Sequence, residues 1–351
     1  MSITQKIYGT LQNGQAVTEY TLTNGTGASV GILDFGGIIT SICVPDRNGK
    51  LGDVKLGFDD VNVYATPCGY IGALIGRVGN RIGGARFSLD GQEYVLAQND
   101  KGNNLHGGPE GFNLRMWQAM PGEQDGVDAL FLTLASPDGD QGFPGKLEVE
   151  VAYTFDDSNA LGIHYRAAAN KATLCNLTNH AYFNLDGQDA GTVENLELQV
   201  FADFVNEVDE GLIPTGRLMP SKELPYGFVQ PTRIGDVLAQ CASDPVLKNA
   251  GGVDFNYCMG HNRETKVCAE LYSPKTGRVM TVETDQPGVQ VYTGQWLNLT
   301  GKGGAKYGPY AGMCLETQHY PDAIHHPQFH SVVLRPQDSY DTFTFYRFSV
   351  R

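Results

Sequence analysis

Several short stretches of the chain gather side chains that can move protons or hold hydroxyl groups. Asn103-Asn104-Leu105-His106-Gly107-Gly108 sets two amides and an imidazole beside paired glycines. Such glycines would let backbone approach a ligand closely. In Thr178-Asn179-His180-Ala181-Tyr182-Phe183-Asn184-Leu185, strand-like sequence runs in from Ala172. Two-residue alternation then puts His180 and Tyr182 on one face, with Asn184 completing a polar pocket floor. Gly252-Val253-Asp254-Phe255-Asn256 offers a carboxylate. In Met313-Cys314-Leu315-Glu316-Thr317-Gln318-His319-Tyr320, Glu316 follows an apolar run, where an unpaired carboxylate is costly. It is expected either exposed at a strand end or held for use. Partial burial would lift its pKa toward neutrality, which suits a general base. The plainer alternatives are a capping His106 in a polar turn and a satisfied core His180.

Gly76-Arg77-Val78-Gly79-Asn80-Arg81-Ile82-Gly83-Gly84 superficially resembles a phosphate loop, as does the glycine-rich segment around Lys302. Neither carries Gly-Lys-Ser/Thr and no βαβ unit follows, so nucleotide binding is rejected. Asn80 and Arg81 serve better as donors to sugar hydroxyls, because a guanidinium offers a rigid fork of N–H groups.

The elements that must position these residues read as strands. The 44 Gly and 17 Pro punctuate many short runs. Segments 17–23, 148–155, 289–293 and 343–350 alternate in character and carry β-branched or aromatic residues. Asp90-Gly91 predicts a type I′ hairpin over 87–96, and Lys275-Thr276-Gly277 predicts another. Helical periodicity is nearly absent, with one short turn or two expected at 235–242. No linker or internal repeat divides the 351 residues, so a single domain over 1–351 is expected. The expected fold class is all-β, a large antiparallel β-sandwich with very little helix.

Composition narrows the partners. The formal net charge is -14, which repels phosphate backbones and anionic lipid, so no nucleic acid and no membrane partner is expected. A neutral small molecule fits best. Seven scattered cysteines without a Cys-x-x-Cys pair read as reduced core residues, and with no apolar leader the compartment reads as cytoplasmic. His319, His325, His326 and His330 crowd a proline-broken stretch. That spacing favours an ordinary loop over a metal site, so no metal is expected. Trp117 reads as core, while Trp296 could equally stack on a sugar or fill core.

Taken in order, these motifs resemble those of the aldose 1-epimerases, also called galactose mutarotases. The matching elements are Gly76–Ile82, Asn104–Gly108, Asn179–Leu185, Asp254–Asn256, Gln286–Gly294 and Leu315–Gln318. The resemblance implies the large galactose mutarotase-like supersandwich with an open cleft. It implies Glu316 as general base and His180 as general acid. It also implies Asn80, Arg81, His106, Asp254 and Gln290 as holders of sugar hydroxyls, with Tyr182 lining the pocket. The implied reaction interconverts the α and β anomers of a free aldohexose, glucose or galactose. It needs only two proton carriers, so no cofactor is expected; a monomer or homodimer is left open. Three rival readings stand beside it. They are a non-catalytic sugar-binding module, a glycosidase pairing Asp254 with Glu316, and a hexose-6-phosphate epimerase using Arg77, Arg81 and Arg86.

Overall fold

A computed structural model describes residues 2–260 and 264–351. Alternation of apolar and polar residues builds the two sheets that matter for function. The larger has nine antiparallel strands, ordered 118–124, 127–136, 147–155, 160–169, 340–350, 278–284, 266–272, 197–200 and 232–233. The second, of six, runs 182–183, 313–318, 288–292, 254–258, 204–208 and 214–220. A five-stranded sheet made of residues 2–53 closes one side.

In the six-stranded sheet every second residue points the same way. Phe255, Tyr257, Val289, Val291, Met313 and Leu315 join the main core together with Val282, Tyr346 and Phe348 of the nine-stranded sheet. The phenol of Tyr346 donates to the carbonyl of Leu315 at 2.9 Å, locking the two layers. Packing on the core face therefore turns Asp254, Gln290, Tyr292, Cys314 and Glu316 to the other face. Register then brings them together: Asn256, Gln290 and Glu316 form one cross-strand row, and Asp254, Tyr292, Cys314 and Tyr182 the next. The expected antiparallel sandwich is what the chain forms.

The hairpin at Asp90-Gly91 has both residues at positive φ, 52° and 81°, as a type I′ turn requires. The hairpin after Tyr272 also forms. Among the described residues α-helix is confined to three short segments, Val61–Tyr64, Ile234–Leu238 and Pro245–Ala250. The middle one lies where a turn or two was expected.

Candidate active site

The chain leaves one sheet layer for another at His180. Thr178–Asn179 pairs with Leu74–Ile75, whereas Tyr182–Phe183 pairs with Met313–Cys314. His180 and Tyr182 do share a side, their rings stacked at 5.1 Å, but through this crossover and not along one continuous strand. Asn184 does not join them. Its amide donates to the carbonyls of Gly191 and Ala311, so it braces loops and is not a pocket floor.

A second wall comes from the paired segments Arg81–Ile82 and Asn104–Leu105. Asn80 and His106 both sit at positive φ, 61° and 53°, where the chain turns into and out of this pairing. They clasp each other. The N–H of His106 donates to the Asn80 carbonyl at 3.0 Å, and the N–H of Asn80 donates to His106 Nδ1 at 3.1 Å. Gly107, which follows, lets two stretches of the chain meet closely. A Cβ on Gly107 would lie 2.1 Å from the Gly76 carbonyl oxygen, so the close approach is to the chain itself.

Together the walls enclose a cavity of about 470 Å³, within the range of small-molecule sites. Asn80, Arg81, His106, His180, Tyr182, Asp254 and Glu316 line it. Gln290 stands behind Asp254 and donates to its Oδ1 at 2.7 Å. Arg81 is held by Asp100 at 2.7 Å, with Asp254 at 3.9 Å. On the floor, His180 Nε2 lies 3.7 Å from Glu316 Oε1. Glu316 is 2% exposed and lies in mid-strand, not at a strand end.

Burial dominates the electrostatics. It pushes the Glu316 carboxyl well above the usual carboxylate range, with Asp254 adding and Arg81 opposing. It pulls His180 down to about 4, well below the ordinary imidazole value near which the sequence alone would place it. His106 is pulled well below its usual value by burial, His180 and Arg81. Desolvation raises Asp254 too, against Arg81 and Gln290.

One ligand atom from each of His106, His180 and Glu316 falls within 4.8 Å of the others, a spacing that could hold a cation. The proton inventory argues otherwise. Nδ1 of His106 accepts from a backbone N–H, which leaves the ring proton on Nε2. An N–H presented to the cavity donates; it does not ligate.

The remaining expectations fare differently from one another. The guanidinium of Arg77 is buried and bonds to Ser136, Pro137, Pro144 and Thr173, far from any ligand role. Arg86 is exposed and does not line the cavity, so no arginine cluster forms. In the histidine-rich stretch, His325 Nδ1 lies 2.7 Å from Asp322, while His326 Nε2 donates to the Pro214 carbonyl at 2.9 Å. Asp322 in turn accepts from Gly83 N–H at 2.8 Å and donates its own N–H to the Arg81 carbonyl at 3.0 Å. These histidines buttress the Arg81 loop from behind. Trp117 is core, and Trp296, 71% exposed, stands on the cavity rim.

Sequence reading missed Tyr70, Asp100 and Tyr292. Tyr70 packs edge-on against His106 at 4.7 Å, from a loop at φ 58° that carries no motif. Tyr292 sits within a matched motif and alternates with Gln290, so its place was open to inference. A larger hollow of about 770 Å³ lies on the nine-stranded sheet; its Arg166 and Glu150 pair with each other at 2.9 Å, and its Asp341 is paired at 2.8 Å with His164, which does not line it.

Comparison with known proteins agrees with this geometry. The family model described as Aldose 1-epimerase matches residues 18–347. Galactose mutarotase of Homo sapiens is 40% identical over 351 residues, 99% of each chain. Aldose 1-epimerase of Escherichia coli (strain K12) is 35% identical over 341 residues, 96% of each chain. Among solved structures, galactose 1-epimerase from Lactobacillus acidophilus NCFM superposes with a TM-score of 0.86 at 25% identity, covering 100% of this chain and 99% of that one. An aldose epimerase homologue from C. elegans gives 0.85 at 30% identity, covering 94% and 98%. With its matching motifs, fold and full-length relatives, the chain belongs to the aldose 1-epimerase family.

Proposed function

We propose that this chain interconverts the α and β anomers of a free aldohexose, galactose or glucose, with Glu316 as general base and His180 as general acid. The observation that carries the assignment is the 3.7 Å separation of His180 Nε2 and Glu316 Oε1 on the floor of a cavity of sugar size. Glu316 takes the proton of the C1 hydroxyl while His180 protonates the ring oxygen. The C1–O5 bond breaks with its electron pair left on oxygen, and C1 becomes an aldehyde. Rotation about C1–C2 and closure with the roles exchanged deliver the other anomer and return both protons. Asn80, Arg81, His106 and Asp254 would hold the remaining hydroxyls, and Gln290 would orient Asp254. Tyr182 would form the wall against the sugar.

The shifts of the two groups suit this cycle. Raising Glu316 and lowering His180 both favour an uncharged pair that shares one proton. Moving that proton to the imidazole gives the carboxylate and imidazolium with which the cycle begins.

The cavity also bears on the rival substrates. Beside the His180–Glu316 pair its ionisable lining is Asp100, Glu210 and Asp254 against Arg81 and Lys101, a balance that opposes a phosphorylated sugar. Among the described residues no helix is long and apolar enough to cross a membrane. The seven free cysteines support a reducing compartment, the cytoplasm.

The test is polarimetry on freshly dissolved α-D-galactose and α-D-glucose at catalytic protein concentration. A faster approach to the same final rotation is expected. Unchanged rates with sugar binding intact would instead favour a binding module.

A further inference from the structure

Two carboxylates compete for Arg81. Its Nε–H donates to Asp100 Oδ2 at 2.7 Å, while Nη1 stops 3.9 Å short of Asp254 Oδ2. The second distance is too long for a hydrogen bond. Gln290 occupies only the other oxygen of Asp254, Oδ1. A guanidinium beside such a carboxylate ordinarily closes on it, because N–H···O bonds between charged groups are short and strong. Here the gap stays open.

A turn holds the guanidinium back. Lys101 and Gly102 both sit at positive φ, 48° and 92°, as the central pair of a type I′ turn does, and Asp100 stands at its first corner. Asp100 N–H donates to the Asn103 carbonyl at 3.2 Å, and Asn103 N–H donates back at 2.8 Å. Side chains tie the turn down. Asn99 Oδ1 accepts from Leu105 N–H at 2.7 Å, its amide donates to the Leu105 carbonyl at 3.0 Å, and Asn103 Oδ1 accepts from Gly84 N–H at 3.0 Å. The main chain of Arg81 is fixed too, by pairing with Leu105 and by Asp322 behind it. Only the side chain is left to choose a partner, and the carboxylate on the pinned turn takes Nε.

We infer that Asp100 is a positioning residue: it draws the guanidinium of Arg81 off Asp254 and so keeps open a gap that one sugar hydroxyl bridges. A hydroxyl is donor and acceptor at once. It can accept from Nη1 and donate to Oδ2, but only while those two groups are not bonded to each other. Closed into an ion pair, Arg81 and Asp254 would both be lost to the substrate. The inference rests on the reading of these two residues as holders of sugar hydroxyls. The substrate is neutral, so the charge of Asp100 exerts no long-range pull on it.

Asp100→Asn keeps the shape of the turn residue and removes its charge. A crystal structure of the variant should show Arg81 Nη1 and Asp254 Oδ2 closed to about 2.8 Å. KM for galactose should rise by about 10- to 100-fold with kcat within about twofold, the mark of binding lost equally from ground and transition states. A double-mutant cycle separates this from damage to the loop. In an Asp254→Asn background the competitor has no charge, so adding Asp100→Asn should raise KM by no more than about twofold further. Full additivity of the two changes would overturn the proposal, as would an unaltered KM in the single variant. A raised KM with the gap still at 3.9 Å would overturn it in favour of direct contact between Asp100 and the sugar. If the wild-type protein binds galactose without turning it over, the anomerisation reading fails, and the same comparisons made on calorimetric Kd still decide the role of Asp100.

Discussion

The backbone N–H of Asn80 donates to Nδ1 of His106 at 3.1 Å, so the imidazole of a fully buried site residue is held neutral with its proton aimed into the cavity. The sign of the resulting pH dependence follows. With a folded pKa well below the unfolded value near 6.5, the unfolded chain binds more protons once pH drops below that value. The contribution of His106 to stability is complete above about pH 6.5 and is lost as pH falls toward its folded value, at up to about 1.4 kcal/mol per pH unit. His106→Gln keeps an N–H donor and removes the titration. Urea denaturation at neutral and mildly acid pH should show a shallower acid loss in that variant. Equal slopes would mean that His106 is already free to charge in the folded state.

The pair of His180 and Glu316 predicts the shape of the rate profile. A shared proton makes kcat/KM bell-shaped, with apparent values that belong to the pair. Adding a second proton must overcome the burial of His180, so the acid limb should lie near about 4 and not near 6.5. Removing the single proton is opposed by burial and Asp254 at Glu316, so the alkaline limb should lie well above the ordinary carboxylate value. Glu316→Gln should abolish the bell and lower kcat by about 10²–10⁴-fold while sugar still binds. Polarimetry corrected for the spontaneous reaction measures this. Loss of activity through pH 6.5 on acidification would show an imidazole unperturbed by its surroundings.

Lys55 makes a separate prediction about stability. Its side chain is fully buried, and among the described residues no acceptor lies within hydrogen-bonding distance of Nζ. Burial and the nearby Lys302 pull its pKa well below the usual value, with Asp53 opposing. Gly72, at φ 80°, packs under this amine: a Cβ there would fall 2.2 Å from Nζ and 2.4 Å from the Ile39 carbonyl oxygen. Lys55→Met replaces an amine that lacks a protein acceptor by an apolar chain of similar shape, and should raise stability by about 1–2 kcal/mol at neutral pH. The unfolded lysine binds more protons than the folded one, so wild-type stability rises with pH toward about 10.5. The advantage of the variant should therefore shrink in alkaline buffer. A lower urea midpoint for Lys55→Met would show that the amine is satisfied in the folded protein.

What the sequence discloses about this site is whatever local pattern dictates. Alternation in 288–292 and 313–318 puts Gln290 and Glu316 on the polar face, and the register then makes them neighbours. Asp90-Gly91 announces its hairpin because the turn type demands positive φ at both residues. The helix Pro245–Ala250 was overlooked although its signals are local. Asp244 caps two N–H groups at 2.9 Å, proline opens the first turn, and Gly251 ends it at φ 73°. By contrast, nothing near Tyr70 or Asp100 signals their positions on the cavity. Tertiary packing alone brings those loops to His106 and Arg81. Arg77 misleads for the same reason: its type suits a ligand, but its surroundings turn it inward to carbonyl groups.

Trp296 offers a direct optical reading of occupancy. The chain has two tryptophans, and Trp117 is buried with its indole N–H on the Phe112 carbonyl at 3.3 Å. Trp296 is 71% exposed on the cavity rim, near Tyr292 and Asn249. A Cβ on Gly251 would come within 3.1 Å of its ring, so the residue that ends the preceding helix also leaves space for the indole. An exposed aromatic face at the mouth of a polar cavity stacks readily on the apolar face of a pyranose. Trp296→Ala should raise KM by roughly 2- to 12-fold, the equivalent of an aromatic contact of about 0.5–1.5 kcal/mol, with kcat little changed. Its cost in stability should stay within about 0.5 kcal/mol, because the ring covers little core. Titration with galactose should change the intrinsic fluorescence of the wild-type protein, and that change should vanish in Trp296→Phe. A signal that persists in the phenylalanine variant would come from Trp117, which would mean that binding reorganises the core and leaves the rim indole out of the contact.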